Sequence, residues 1–212
     1  MSKQTLKAYW EIEIKDKNGK LLKRKRIKSH SWLKQWLQML KGEFATRNAT
    51  TVGGGNVSVV DETGTGRTYP KHDTASGFYA CYFNLSTLGD AGDVSQGIIV
   101  GSSDTPNSLT TYALGSKIAH GTGSGQLVYN VEVIEDVTNP SGNDLLFRIT
   151  RTFTNNSGST VTVKEVGLLI KKYDAGGVAR SFLAVRDVLP SPSSIPDGAT
   201  MTIRYIPKIT IS

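Results

Sequence analysis

The chain has 212 residues, a formal net charge of +7 and a single cysteine. This length allows one large hydrophobic core without disulfide or metal staples, and the lone Cys81 excludes an intrachain disulfide. No apolar run approaches the ~20 residues that span a bilayer, and residues 1–4 do not open a secretion signal, so we expect cytoplasmic synthesis and no membrane partner.

The positive charge is concentrated at the N-terminal end. Residues 1–47 contain 13 Lys and Arg against 4 Asp and Glu, whereas residues 48–212 contain 12 against 14. A domain that binds nucleic acid over its whole surface would be basic throughout. We therefore expect the excess charge to act locally.

The first predicted element is a β-hairpin. Residues 6–14 alternate apolar and polar in their second half, Asn18 and Gly19 favour a tight turn, and residues 21–27 return as the partner strand. This hairpin carries the candidate interaction residues Lys20, Lys23, Arg24, Lys25, Arg26 and Lys28. They form either a solvated face or a contact with DNA or with an acidic partner surface. We favour the acidic protein over DNA, because the rest of the chain has no matching basic surface.

One amphipathic helix is predicted next. Apolar residues at 32, 33, 36, 37 and 40 share one helical face, a serine precedes them, and Gly42 follows the last of them. Trp32 and Trp36 are candidate interaction residues on that face. Ordinary packing within the chain and anchoring against a neighbouring subunit both fit the pattern.

Residues 42–77 are rich in glycine and predict a long loop or arm with one short strand at 57–60. Such an arm is a candidate contact with a neighbouring subunit. The chain is accordingly divided into a basic hairpin and helix (1–47), a glycine-rich arm (48–77) and a β-domain (78–212).

The remaining sequence predicts strands only, at 79–85, 97–101, 126–137, 144–155, 160–172, 181–189 and 199–212. We expect the turn at 155–158 to form a hairpin whose second strand begins at 161. Short strands at this spacing favour an all-β fold, an antiparallel β-sandwich of jelly-roll type with one short helix.

No constellation of residues suggests catalysis or a bound cofactor. The three histidines are far apart, the acidic residues are too few in any loop for a metal site, and the glycine-rich residues 121–125 precede a strand rather than a helix. We therefore expect a protein that is not an enzyme and that holds neither metal nor cofactor.

Three blocks of the C-terminal half resemble structural proteins of tailed phages and archaeal viruses. They are residues 97–121 (GIIVGS, TP, YAL, IAHG), 151–168 (RTFTNNSG, VTVKEVGL) and 182–205 (FLAVRDVL, PDGATMTIRY). The resemblance implies a virion component from a tail, neck, baseplate or capsid decoration. Its partners would be copies of itself and other virion proteins, in a particle assembled in the host cytoplasm.

Glu165 is an ionisable residue within an apolar strand, and Arg186 occupies a similar position in a later strand. We predict that they form an ion pair that sets register within a subunit or specificity between subunits. Reversing both charges is then expected to restore what either single reversal destroys.

The main alternative function is a carbohydrate- or receptor-binding module, such as an adhesin, on the same fold. It requires exposed aromatic residues on one face, for which Tyr69, Tyr79, Tyr82 and Tyr112 are the candidates.

Overall fold

The fold consists of antiparallel β-sheets with one short helix among the residues that the structure describes. The computed structural model describes residues 4–30, 32–45, 57–69, 86–174 and 177–211. The predicted strand at 79–85 and Cys81 lie outside these ranges, as does most of the predicted arm.

The elements follow in chain order: β1 (Gln4–Lys15), β2 (Leu21–Lys28), α1 (Lys34–Ala45), β3 (Val57–Val60), β4 (Gly66–Tyr69), β5 (Gly97–Gly101), β6 (Val128–Tyr129), β7 (Val133–Ile134), β8 (Asp144–Leu146), β9 (Ile149–Thr154), β10 (Val161–Tyr173), β11 (Ala179–Ile195) and β12 (Thr200–Ile211). The large sheet has the order β2-β1-β12-β9-β6, with β7 paired to β9 and β8 paired to β12. The small sheet has the order β11-β10-β5, and β3 pairs with β4 in a separate hairpin.

Alternation along β1 places the large sheet on the core. Trp10, Ile12 and Ile14 are buried, whereas Glu11 and Glu13 between them lie on the opposite face. Because β1 pairs with β12 along its whole length, the predicted N-terminal hairpin is an integral part of the large sheet. Buried apolar residues of both sheets belong to one hydrophobic cluster, although Leu146 and Ile206 of the large sheet are buried outside it.

A single long ribbon links the two sheets. β9 pairs with β12 in the large sheet, and the chain segments that continue them, β10 and β11, pair with each other in the small sheet. The predicted hairpin at 155–158 is therefore wrong, since β9 and β10 do not pair. The turn is instead a corner between sheets, fixed by the buried Asn155, whose Nδ2 donates to Ser159 O and Ile195 O at 2.7 Å each.

The helix begins at Lys34, two residues later than the predicted apolar face. Trp32 forms a bridge with Val185, and Leu33 N donates to Ala184 O at 3.0 Å. These backbone groups pair with the edge of β11, and a residue cannot both extend that edge and open a helix.

Two long predicted strands are interrupted, and each interruption has a backbone cause. Residues 126–137 contain only β6 and β7, because Glu132 N donates to Gly89 O and Asn130 O accepts from the side chain of Arg151. Residues 144–155 are split into β8 and β9 opposite Pro207, which has no N–H for the ladder. The predicted strand at 57–60 is confirmed as β3, and its partner β4 replaces part of the predicted loop.

Candidate functional site

The basic strand β2 forms an edge of the large sheet, and its outward face is charge-paired. Arg24 Nε lies 3.1 Å from Glu13 Oε1, and Arg26 Nε lies 3.5 Å from Glu11 Oε1. The Arg26 guanidinium also lies over the Tyr9 ring, 4.3 Å from its centroid. Lys28 is exposed opposite Tyr9. This face is therefore basic but partly neutralised by its neighbours on β1.

Two lysines of β2 point the other way, towards the small sheet. Lys23 Nζ donates to Pro192 O at 2.9 Å, and Lys25 Nζ donates to Ser191 O at 2.7 Å. Burial and the neighbouring Lys23 lower the pKa of Lys25 to about 8. These lysines join the edge of the large sheet to β11. Of the predicted interaction residues on this hairpin, Lys23, Arg24, Lys25 and Arg26 thus have partners within the chain, while Lys20 is exposed.

The tryptophans lie where the helix meets both sheets. Trp32 Nε1 donates to the Tyr205 hydroxyl at 3.0 Å, and the Trp32 and Trp36 rings meet edge to face with centroids 6.1 Å apart. Trp32 keeps 38 % of its surface exposed. Both residues contact their own chain, and Trp32 is also accessible to a partner.

The structure brings the predicted pair Glu165 and Arg186 together inside one chain. Arg186 Nε donates to Glu165 Oε2 at 2.6 Å, and the two side chains are 2 % and 0 % exposed. Three backbone N–H groups, those of Ser103, Gly115 and Ser116, also donate to the carboxylate, at 3.3, 3.1 and 2.9 Å. The pair therefore holds the loop that follows β5 against the outer face of the small sheet.

Arg186 completes this attachment from β11. Its Nη2 donates to Thr105 O at 2.9 Å, and its Nη1 donates to Asn107 Oδ1. A Cβ at Gly101 would collide with Glu165 Oε1, so the carboxylate packs directly on the β5 backbone. Because three N–H donors converge on position 165, only an acceptor fits there. Reversal of both charges is therefore not expected to restore the pair, because a cation at position 165 would face these N–H groups.

A second buried arginine was not predicted from the sequence. Arg151 on β9 is fully buried, and its five N–H bonds all donate to backbone carbonyl oxygens. The acceptors lie 2.7–3.1 Å away and belong to Asn130, Gln96, Ile98, Asp90 and Asp93. The guanidinium thus lies at the centre of the loop before β5 and binds the surrounding carbonyl oxygens, as a bound metal cation would. The available signal was its position between Ile149 and Phe153, on the buried face of the strand.

Glu132 lies beside this cluster as a buried carboxyl group. Its Oε2 accepts from Ile98 N at 2.6 Å, whereas its Oε1 is buried with no hydrogen-bond partner in the described ranges. Burial raises the pKa of Glu132 to about 7, although the Ile98 N–H and the charge of Arg151 oppose the rise. Glu132 is thus partly protonated near neutral pH.

An apolar cavity of about 400 Å³ opens between the two sheets beside α1. The large sheet exposes apolar side chains at this end. By strand register Leu6, Leu145 and Ile209 share its inner face, as do Ile134 and Ile149. Leu6, Ile134, Leu145 and Ile211 remain 56, 45, 44 and 46 % exposed. We call these four residues the apolar overhang.

Comparisons with protein-family models, with curated proteins and with solved structures find no match for this chain. Within the described ranges, no three His, Cys, Asp or Glu side chains cluster as metal ligands do. The one described helix is too short to cross a bilayer. Of the four tyrosines proposed for glycan binding, only Tyr112 has a described side chain, which is 41 % exposed.

Proposed function

We propose that the protein is a non-enzymatic structural subunit of a virus particle, of the tail, neck, baseplate or capsid-decoration kind. Its function is to associate with copies of itself and with neighbouring particle proteins. The sequence blocks described above suggest this class, and the following features support assembly as the activity.

The observation that carries the proposal is the apolar overhang. Its four residues lie on the inner face of the large sheet, yet each exposes more than two fifths of its surface. Exposed apolar side chains grouped on one sheet face are characteristic of sites that another protein covers. Association would bury this surface, which stabilises the complex by roughly 25 cal/mol per Å² of apolar area removed from water.

The buried charge clusters support a rigid frame around this surface. Glu165 and Arg186 fix the loop after β5, and Arg151 fixes the loop before it. Fully satisfied buried networks specify one arrangement of the loops they hold. The ribbon of β9, β10, β11 and β12, nested across two sheets, favours the jelly-roll type of sandwich within the mostly β, antiparallel fold.

The outward face of β2 supports an acidic protein partner rather than DNA. Arg24 and Arg26 are already shared with Glu13 and Glu11, which would repel phosphates brought close to them. A partner can instead present single carboxylates to Lys28 and to the exposed guanidinium edges.

Light scattering of the purified protein at low and high salt tests the proposal. We expect a discrete oligomer, and we expect Leu145→Arg and Ile211→Arg to shift it towards monomer. Leu109→Arg is the matched control, because Leu109 is 80 % exposed and lies outside the overhang. A strict monomer at both salts, or equal dissociation in the control, would remove self-assembly through the overhang. Binding to a glycan array would then favour the adhesin alternative.

A further inference from the structure

The strand β2 is an open edge of the large sheet. It pairs with β1 on one side, and no strand among the described residues pairs with its other side. Both edges of the small sheet, in contrast, carry backbone bonds to neighbouring segments. Leu33 N donates to Ala184 O of β11 at 3.0 Å, and Ile118 N donates to Val100 O of β5 at 2.9 Å. The row of backbone N–H and C=O groups on an open edge is a template for a further strand.

The hydrogen-bond pattern of the β1–β2 pair shows which residues present these groups. Ser29 N donates to Ala8 O at 2.9 Å, and these two residues lie opposite each other when the register of the pair is continued. Bonded and non-bonded pairs alternate along an antiparallel ladder, so the backbone groups of Lys25 and Ile27 bond to β1. The alternate residues, whose backbone groups point away from β1, are Arg24, Arg26 and Lys28.

The side chains of the same three residues lie together on the outward face of the large sheet. Those of Arg24 and Arg26 are 63 and 48 % exposed, and Lys28 is exposed as well. Glu13 compensates Arg24 only in part, because Arg204 Nη1 also lies 3.4 Å from Glu13 Oε2. An incoming strand would therefore meet backbone hydrogen-bonding groups and positive side chains at the same three positions.

We propose that β2 accepts an extended acidic segment of a partner protein as an additional antiparallel strand. Main-chain bonds would supply the affinity, and alternate side chains would supply the specificity. Residues opposite Arg24, Arg26 and Lys28 face outward, so the segment should carry a carboxylate at every second position. The residues between them lie beside Ile27, which packs against the core, and should be uncharged. A second copy of β2 is disfavoured as the occupant, because five of its eight residues are Lys or Arg.

Two peptides of equal composition and charge test the proposal in titrations of ¹⁵N-labelled protein at low salt. The aligned probe, acetyl-Ser-Glu-Val-Glu-Thr-Glu-Ser-amide, has glutamate at every second position, and the shuffled probe, acetyl-Ser-Glu-Glu-Glu-Val-Thr-Ser-amide, does not. We expect the aligned probe to bind at least about fivefold more tightly, since it alone matches both the backbone and the charges of the edge.

Amide signals report where the aligned probe binds. The outward amides of Arg24, Arg26 and Lys28 gain acceptors, so their signals should shift downfield and their hydrogen exchange should slow. The amides of Lys25 and Ile27 already bond to β1 and serve as internal controls. No saturable change up to the solubility limit of the aligned probe, equal affinities of the two probes, or equal shifts of outward and inward amides would overturn the proposal.

Two variants of Arg26 separate the backbone contact from the charge. Arg26→Thr removes the guanidinium but keeps the outward N–H, so the affinity for the aligned probe should fall about fivefold. Arg26→Pro removes the N–H as well, and the affinity should fall about a further fivefold. The β1–β2 ladder does not use this N–H. Equal affinities of the two folded variants would contradict strand addition, and the comparison of the two probes on the wild type decides the matter if the proline variant fails to fold.

This inference rests on the proposed assembly function, for which it names the chemistry of a partner, yet the two tests fail separately. Leu145 and Ile211 lie outside β2, so the overhang variants should bind the aligned probe as the wild type does. Probe binding by a strictly monomeric protein would support the edge site and remove only self-assembly through the overhang. Equally tight binding of a short duplex DNA would identify a surface that recognises charge alone and would overturn the proposal.

Discussion

Replacing Arg186 or Glu165 by methionine should destabilise the fold by different amounts. Arg186→Met leaves the Glu165 carboxylate with three backbone N–H donors. We therefore expect the free energy of unfolding to fall by about 3 kcal/mol, the lower end of the range for removing one partner of a buried ion pair. Glu165→Met removes the acceptor of all three N–H groups and leaves the guanidinium buried with Thr105 O and Asn107 Oδ1. We expect about 5 kcal/mol for that change.

The double variant should lose about 6 kcal/mol, less than the sum of the single losses, because the second substitution removes a charge already left unpaired. Urea unfolding followed by tryptophan fluorescence measures all three free energies. Lys164→Met is the matched control: Lys164 pairs with Asp104 at the surface, so its loss should stay within about 0.5 kcal/mol.

Amide hydrogen exchange adds a local readout for the same variants. The amides of Gly115 and Ser116 should exchange at least about 100-fold faster in Glu165→Met, since they lose their acceptor, and less so in Arg186→Met. Our reasoning is wrong if Arg186→Met lowers the free energy of unfolding as much as Glu165→Met does, or if the two single losses add up to that of the double variant. In either case the backbone donors would not determine the loss of stability.

Three further outcomes are expected. Because the folded pKa of Glu132 is raised from 4.5 to about 7, its stabilising contribution is complete below pH 4.5 and is lost as the pH rises through 7. As the pH rises from 4.5 to 8, the free energy of unfolding of Glu132→Gln should therefore increase relative to that of the wild type by on the order of 3 kcal/mol, measured by urea unfolding. A difference that stays constant with pH would contradict the raised pKa. Arg151→Lys, which has three donors for five carbonyl groups, should lower the free energy of unfolding by about 3 kcal/mol and speed amide exchange across residues 90–98; unchanged exchange there would refute the role of Arg151. Gly101→Ala should lower the thermal midpoint clearly, because its Cβ meets Glu165, whereas Gly66→Ala, with Ser58 Oγ 3.8 Å away, should not; equal shifts would contradict the close packing.

Strand patterns were sufficient to predict most elements of the fold. Alternation located β1, because one face of a half-buried strand must be apolar, and the Asn18-Gly19 turn located its partner β2. β5 is buried at every residue, so alternation could not have marked it. The same reasoning extended residues 144–155 into one strand, since it did not consider that Pro207 would lie opposite the break. The pairing of β9 with β12, rather than with β10, depends on contacts about 50 residues apart, which local turn signals cannot report.

The candidate site was predicted only in part for a related reason. Glu165 and Arg186 stood out because each is a charge within an apolar strand, and the structure places them in contact. Arg151 shows the same signal, but its acceptors are backbone carbonyl groups, which carry no mark in the sequence. The cavity beside Trp36 was not predictable, since an empty space depends on how two sheets diverge rather than on any residue type.

The pairing of β1 with β12 also sets an order of events during synthesis. At about 5–20 residues per second, the ribosome needs roughly 10 to 40 s to add the residues between these strands. Throughout that interval β1 is paired with β2 on one side only, and an open strand edge that carries the apolar Trp10, Ile12 and Ile14 can pair with strands of other chains. The adjoining strand β2 carries five Lys and Arg residues among its eight, so every nascent hairpin repels its neighbours. We therefore expect the charge at this end of the chain to disfavour aggregation of the nascent protein before the sheet closes.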